Sequence, residues 1–163
     1  MEIRQIEPDD DRYAISNIYE ESWKSAYRNI IPDSYLESIP KGRWVPKLDR
    51  EGMNSAVIFE YGVFIGTLPY CGLRFSEFDG FGEILSIYFL PEYTGKGYGI
   101  QLLNFVIDEL RKSGYKDVFL WVLEENMRAR KFYEKAGFIK TEKYLDDNIG
   151  GKALREIAYC CHI

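Results

Sequence analysis

Hydrophobic positions in this chain follow two different periods, and the changes between them predict the order of its elements. Apolar residues spaced three or four positions apart predict four helices, and apolar, β-branched runs predict the strands between them. The helices follow residues 9–11, run from Pro32 to Ile39, run from Gly97 to Ser113, and span residues 127–136. The strands cover residues 1–7, 55–60, 63–68, 83–90, 117–122, 138–144 and 154–161, with the run at 63–68 extending toward Phe75.

Turn residues mark the breaks between these elements. The pair Tyr61-Gly62 joins two apolar runs, which is typical of a β-hairpin. Residues 43–54 are polar and rich in turn formers, so we expect a loop there, and we expect a turn at residues 76–82. The resulting order, β-α-α-β-β-β-α-β-α-β-β, predicts an α+β fold with helices on both faces of one mixed sheet.

The composition is typical of one globular domain spanning residues 1–163, with 46% hydrophobic and 29% charged residues. Its formal net charge of −5 argues against a general nucleic-acid binder or a binder of anionic membranes. No stretch reaches the roughly 18 apolar residues of a membrane span. Residues 1–11 lack the apolar core of a targeting signal, so we expect a cytoplasmic protein.

Cysteine and histidine are too few and too badly spaced for most site chemistries. Cys71, Cys160 and Cys161 are an odd number, so no disulfide framework is expected. The single histidine, His162, is one residue from the end of the sequence, and the adjacent cysteines lack the usual spacing of zinc ligands. We therefore expect no metal site and no Cys–His nucleophile.

A glycine-rich loop precedes the third helix. Residues 92–99 read EYTGKGYG, with glycines at alternate positions and Lys96 between two of them. Glycine lets a backbone approach a ligand closely, and the free amides at a helix start attract anions. Lys96 is followed by Gly97 instead of Ser or Thr, and no glycine spacing here fits a dinucleotide fingerprint. The loop is therefore neither a Walker loop nor a dinucleotide-binding loop, but we still expect it to bind a phosphate group. The alternative is a flexible connection between strand and helix, which uses the same residue types.

Two segments resemble signatures of the GCN5-related N-acetyltransferase (GNAT) family. Residues 85–99, LSIYFLPEYTGKGYG, resemble its acetyl-coenzyme-A motif, Q/R-x-x-G-x-G/A, with Thr94 where the family has Gln or Arg. Residues 126–138, NMRARKFYEKAGF, resemble its second signature, N-x-x-A-x-x-F/L-Y-x-x-x-G-F. The resemblance implies a mostly antiparallel mixed sheet flanked by helices, and acetyl-CoA as the cosubstrate.

The resemblance also implies which residues bind acetyl-CoA. A bulge in the strand at 83–90 would separate it from the strand at 117–122, and the pantetheine arm would lie in that gap, with backbone amides of residues 87–89 near the thioester oxygen. Asn126 would lie near the cofactor, although a helix N-cap explains it equally well. The implied cofactor-binding residues are Ile87, Tyr88, Phe89, Thr94, Gly95, Lys96, Gly97, Tyr98, Gly99, Asn126 and Tyr133.

Two residues are candidates for proton transfer. By resemblance, the Tyr133 hydroxyl points at the cofactor sulfur and protonates the leaving thiolate, although its spacing also fits a core position. Glu83 is the candidate general base for the attacking amine, and a solvated strand end is the alternative. No Cys or Ser lies in an activated constellation, so direct attack of the amine on the thioester is expected.

The acceptor is the least defined part of the reaction. Residues 1–37 carry four basic and nine acidic residues, and residues 94–143 carry ten basic and seven acidic ones, which suits a phosphate-rich cofactor in the second segment. Acids in the first segment, with nearby aromatic rings, favour a cationic primary amine, unless they only cover solvated helix faces. The residues concerned are Glu20, Glu21, Asp33, Glu37, Trp23, Tyr27 and Tyr35.

Three alternatives stay open at the level of the sequence. The chain could transfer another acyl group, sense acyl-CoA without turnover, or bind a nucleotide as a regulator. The sequence leaves a homodimer open and names no further partner beyond acetyl-CoA and an amine.

Overall fold

The computed structural model describes residues 1–72 and 75–163. Within these residues lie eight strands and five helices. The strands are β1 (Glu2–Gln5), β2 (Met53–Glu60), β3 (Val63–Cys71), β4 (Gly82–Ile84), β5 (Tyr88–Phe89), β6 (Asp117–Leu123), β7 (Ile139–Ile149) and β8 (Lys152–His162). The helices are α1 (Arg12–Ala26), α2 (Asp33–Glu37), α3 (Val45–Leu48), α4 (Tyr98–Lys112) and α5 (Met127–Lys135), with short 3-10 turns at Ser76–Phe78 and Pro91–Tyr93.

The strands form one sheet in the order β1-β2-β3-β4-β6-β8-β7, with β5 paired to β3. The pairing of β4 with β6 is parallel, and every other pairing among the described strands is antiparallel. The expectation of a mixed, mostly antiparallel sheet is therefore confirmed.

Helices cover both faces of the sheet, as the sequence predicts. One face packs against α4 and α5, whose apolar sides include Leu102, Leu103 and Tyr133. The opposite face packs against α1, α2 and α3 around Ile15, Tyr19 and other buried residues. A smaller aromatic cluster on Phe78 and Phe119 lies near the Ser76–Phe78 turn.

The starts of the long helices follow from single residues. The Asp11 carboxylate accepts hydrogen bonds from the amides of Tyr13 and Ala14 and so caps α1. Gly97 precedes α4 in the left-handed region, with φ +84°, which a residue with a side chain rarely adopts. The Asn126 side chain accepts a hydrogen bond from the amide of Ala129 and caps α5.

Several predicted boundaries were wrong. The polar stretch at 43–54 contains helix α3, because Trp44 and Leu48 are buried against α1 and its neighbours. Helix α2 ends at Glu37, before Ile39. The last two strands are longer than predicted and run to a tight turn at residues 150–151. Strand β3 does continue past Leu68, to Cys71, and the remainder of the predicted extension toward Phe75 includes residues 73 and 74, which lie outside the described residues.

The predicted strand at 83–90 is divided in two. Ile84 pairs with Tyr70, but Tyr88 pairs with Thr67, so the β4–β5 side of this pairing holds one more residue than β3 does. This is a β-bulge at residues 85–87. Beyond it β5 pairs only with β3, while the parallel pairing of β6 with β4 ends at Leu120. The sheet therefore opens into a gap between β5 and the end of β6.

Candidate active site

A cavity of about 520 Å³ lies at this gap in the sheet. It is lined by the end of α1, by residues 86–89, by the loop before α4 and by one side of α5. Both segments that resemble family signatures therefore face the same space. The predicted residues that line it are Ile87, Tyr88, Phe89, Thr94, Gly95, Gly97, Gly99, Asn126 and Tyr133.

The loop before α4 offers open backbone to a ligand. Gly95 and Gly97 have φ values of +76° and +84°, and a Cβ built on Gly97 meets no atom within 4 Å. The first amides of α4 have no partner within the helix, and the helix dipole favours an anion there. This loop can accept an anionic group such as a pyrophosphate, because backbone donors are present and the Cβ position of Gly97 is open.

Gly99 has a different role from Gly97. A Cβ on Gly99 would lie 3.2 Å from Cε2 of Phe132 on α5. Contacts that short are tight, so glycine at this position allows α4 and α5 to pack together beside the cavity.

Two predicted cofactor-binding residues are not brought to the cavity. The Lys96 ammonium lies 5.0 Å from the centre of the Tyr93 ring. The Tyr98 hydroxyl donates to Glu60 Oε1 at 3.1 Å, so it is held toward β2. Neither side chain lines the cavity.

Three tyrosines that line the cavity, Tyr27, Tyr88 and Tyr133, lie close to one another. Tyr133 is buried, with only 4% of its surface exposed. Burial raises the pKa of Tyr133 above its ordinary value, and hydrogen bonds to the Ser86 hydroxyl and the Ile87 amide act in the opposite direction. Burial also raises the pKa values of Tyr27 and Tyr88. These phenols therefore keep their protons throughout the neutral range and are available as hydrogen-bond donors.

Glu83 does not lie with this group. It is 1% exposed on β4, and its carboxylate accepts a hydrogen bond from the Cys71 thiol, with 3.7 Å between Sγ and Oε2. It does not line the cavity. The bulge that follows β4 separates Glu83 from residues 86–89, so the position of its side chain does not support the predicted role as general base.

The acids expected at the acceptor site are also placed differently. Glu20 is buried and accepts hydrogen bonds from Ser16 Oγ at 2.9 Å and from the Gly42 amide at 2.7 Å. It fastens α1 to the chain before α3. Of the acidic and aromatic residues predicted for this site, Tyr27 alone is among the described residues that line the cavity.

Several lining residues were missed by the sequence reasoning. Ser22, Ala26 and Ser86 carry no motif, and their small side chains leave no signal beyond the helical or strand period. Arg128 lies inside the second signature at a position that its pattern leaves unspecified, and Phe132 lies where the pattern has Phe or Leu but was not assigned to the cofactor. The position of α5 against the glycine loop is what brings them to the cavity.

Among the described residues, no group of three or more His, Cys, Asp or Glu residues is arranged to hold a metal ion. In the same part of the chain, no helix is both long and apolar enough to cross a membrane.

The fold and the cavity together define an N-acetyltransferase of the acyl-CoA-dependent class, and comparison with known sequences is consistent with this. Residues 13–138 match the profile described as "Acetyltransferase (GNAT) family". The chain belongs to this family.

Relatives and solved structures extend the match to nearly the whole chain. The uncharacterized N-acetyltransferase YuaI of Bacillus subtilis is 30% identical over 88% of this chain and 83% of its own length. The spermidine N(1)-acetyltransferase of Thermoplasma acidophilum is 29% identical over 85% of this chain and 88% of its own length. The crystal structure of the PaiA N-acetyltransferase from Thermoplasma acidophilum in complex with coenzyme A has a TM-score of 0.80 at 23% identity, covering 99% of this chain and 98% of that one.

Proposed function

We propose that this protein transfers the acetyl group of acetyl-CoA to a primary amine by direct attack of the amine on the thioester. The observation that carries the proposal is the cavity, which is lined both by the glycine loop and by the buried phenol of Tyr133. An anion-binding helix start and a proton donor that line one space suit a cosubstrate with phosphates at one end and a sulfur at the other.

The residues that would hold the cosubstrate come from both sides of the gap. The amides at the start of α4, with Thr94 and Gly95, would bind the pyrophosphate. The backbone of residues 86–89 would hydrogen-bond to the pantetheine arm, as an added strand does at an open sheet edge. Asn126 uses its side-chain oxygen as the cap of α5, which leaves its amide nitrogen free to donate into the cavity. Acetyl-CoA itself supplies the activated acyl group.

Tyr133 is the proposed proton donor to the leaving sulfur. Its phenol is protonated at neutral pH because burial raises its pKa. The Ile87 amide lies within hydrogen-bonding reach of the same hydroxyl, so a fixed N–H is available beside it. That amide is our candidate to stabilise negative charge on the thioester oxygen, since a backbone donor fixed by a bulge needs no reorganisation.

The amine must lose a proton during the reaction. Among the described residues that line the cavity there is no carboxylate, and the side chains at the acceptor end are hydroxyls and apolar groups. We propose that the hydroxyls of Tyr27, Ser86 and Tyr88 orient the neutral amine and pass its proton to water. Glu83 is left out of this scheme because its side chain lies outside the cavity.

The acceptor proposed is a primary amine that enters beside α1. The spermidine acetyltransferase among the relatives acts on an amine, which supports this class. Aromatic faces at this end, such as that of Tyr27, also suit a cationic chain. We therefore place polyamines first, and amino acids and peptides after them.

Thiol release from acetyl-CoA, measured across a panel of polyamines, amino acids and short peptides, tests the activity. We expect thiol release that depends on the amine, and formation of the acetylated amine in equal amount. Tight CoA binding without transfer to any amine in the panel would instead support an acyl-CoA sensor.

Replacing Tyr133 by Phe tests the proton donor. The change keeps the ring and its packing, so we expect kcat to fall by about 100-fold while CoA affinity stays close to that of the wild type. Tyr19→Phe, a buried tyrosine of α1 that does not line the cavity, is the matched control. Equal kcat values for wild type and Tyr133→Phe would return Tyr133 to the core.

A further inference from the structure

We propose that Arg128, in the first turn of α5, binds the pyrophosphate of CoA and supplies a cation to the cavity, which the only lysine of the glycine loop, Lys96, does not line. The inference rests on the proposed function, because it assigns the ligand of the same cavity. It adds a binding residue from a second element, one that neither the glycine motif nor the second signature specifies.

The position of Arg128 places its charge over the loop. A Cβ built on Gly95 would have the guanidinium nitrogen Nη2 of Arg128 as its neighbour, 3.9 Å away. Gly95, Gly97 and Arg128 all line the cavity. A phosphate seated on the amides before α4 would therefore lie within reach of this side chain.

The loop has no cationic side chain of its own that faces the ligand. The Thr94 hydroxyl donates to the carbonyl oxygen of Pro91 at 2.7 Å and so helps to close the turn before the loop. Lys96 lies over the Tyr93 ring and does not line the cavity. The charge of two phosphates would be only partly balanced by backbone dipoles, which favours a guanidinium nearby.

The guanidinium of Arg128 is available to bind a ligand. Arg128 is exposed and forms no ion pair with any other residue that the structure describes. A cation in the first turn of a helix also interacts unfavourably with the helix dipole. Stability therefore gives no reason for arginine at this position, whereas a phosphate partner does.

The other cations of α5 are occupied or distant. Arg130 donates to the Tyr159 hydroxyl at 3.0 Å and to the carbonyl oxygen of Glu124. Lys135 lines the cavity but lies seven residues further along the helix, which is about 10 Å at the α-helical rise. Lys131 is exposed on the same helix and does not line the cavity, so it serves as the control for net charge.

Calorimetric titration of the full chain with CoA and with 3′-dephospho-CoA tests the assignment. Arg128→Ala should weaken both ligands by about tenfold, or 1.4 kcal/mol, because both carry the pyrophosphate. Lys131→Ala, which removes the same charge from the same helix, should change either affinity less than twofold. Thermal melting of each variant reports whether it folds, and we expect Arg128→Ala to melt at the wild-type temperature.

A second variant moves the cation to the loop. Thr94→Arg placed on Arg128→Ala should recover most of the lost affinity for 3′-dephospho-CoA, because the new guanidinium reaches the same phosphates from the other side. Unchanged affinity in Arg128→Ala, or a loss confined to CoA that would indicate the 3′-phosphate, overturns the inference. Failure of the wild-type protein to bind CoA at all overturns the proposed function instead.

Discussion

At the scale of the residue, Gly97 and Gly99 match the same glycine motif but have different structural roles. Gly97 has a left-handed backbone and open space around its Cβ position, whereas Gly99 is held against Phe132. Sequence reasoning located both, because the motif fixes their positions relative to the helix. It could not separate their roles, because the role of Gly99 depends on α5, which lies about 30 residues later in the chain.

A variant of Gly97 should lose CoA binding beyond its loss of stability. Gly97→Ala forces a side chain into a left-handed backbone, which costs about 1–2 kcal/mol of folding free energy. Gly114→Ala, after α4, is the matched control, because its φ is +91° and its Cβ position is equally open. Both variants should lose similar stability in chemical denaturation, but titration should show about tenfold weaker CoA binding for Gly97→Ala alone. Equal affinities in the two variants would contradict the anion-binding role of the loop.

Tyr133, the proposed proton donor, shows what a residue pattern can predict. Tyr133 was found because it lies in a signature of fixed spacing, and the structure places its side chain in the cavity. Tyr27 and Ser86 were not assigned to the same group, because nothing in their local sequence indicates that α1 and the bulge meet. Glu83 shows the reverse case, in which a plausible residue type on the right strand points elsewhere.

At the scale of the element, α1 matters because its end walls the cavity. Its position is fixed by the Asp11 cap and by the hydrogen bonds of buried Glu20. Two ion pairs near the start of the helix also contribute. Arg4 of β1 donates two hydrogen bonds to the Asp10 carboxylate, at 2.7 and 2.8 Å. Arg12 pairs with Asp49 at 2.9 Å on a more exposed surface. The Arg4–Asp10 pair therefore joins β1 directly to the residues that precede α1.

The Arg4–Asp10 pair should make stability depend on pH. Hydrogen bonding from Arg4 lowers the pKa of Asp10 in the folded protein, so its contribution is complete above pH 4–5 and is lost as pH falls through the folded pKa. Asp10→Asn should therefore cost about 2 kcal/mol at pH 7 and progressively less below pH 4. Urea unfolding at several pH values measures this difference.

Asp49→Asn is the comparison and should cost well under 1 kcal/mol of unfolding free energy, because the Asp49 side chain is 59% exposed. A loss for Asp10→Asn that is the same at pH 3 and pH 7 would exclude this origin.

Element boundaries were least predictable where tertiary contacts decide them. Helix α3 is short and its surroundings are polar, so only the burial of Trp44 and Leu48 against other elements fixes it. The bulge at 85–87 leaves the apolar run intact, and a continuous run is what the sequence shows. Its existence depends on the register with β3 and β6, which no local pattern contains.

At the scale of the whole molecule, the order of elements and the family were predictable, and the placement of site residues was only partly so. The two signatures lie on opposite sides of the gap, so each carries its own half of the cavity. Nine of the eleven residues predicted to bind the cofactor line this cavity, and Lys96 and Tyr98 do not. Lys96 lies in the loop before α4 and Tyr98 is the first residue of that helix, and their side chains contact Tyr93 and Glu60 instead of the cavity.

The gap in the sheet also has a mechanical consequence. Among the residues that the structure describes, strands β1 to β5 are joined to β6, β7 and β8 by three residue pairs, Gly82–Ile84 against Val118–Leu120. A ligand that hydrogen-bonds across the gap would act as a cross-link between the two halves. Amide deuterium exchange should then slow most in residues 85–89 and 121–123 when CoA is added, with slower exchange spreading into β4. In that state the ligand completes the ladder of backbone hydrogen bonds that the strands leave open at the gap. The rigidity of the sheet then reports the fraction of protein molecules that have bound the ligand.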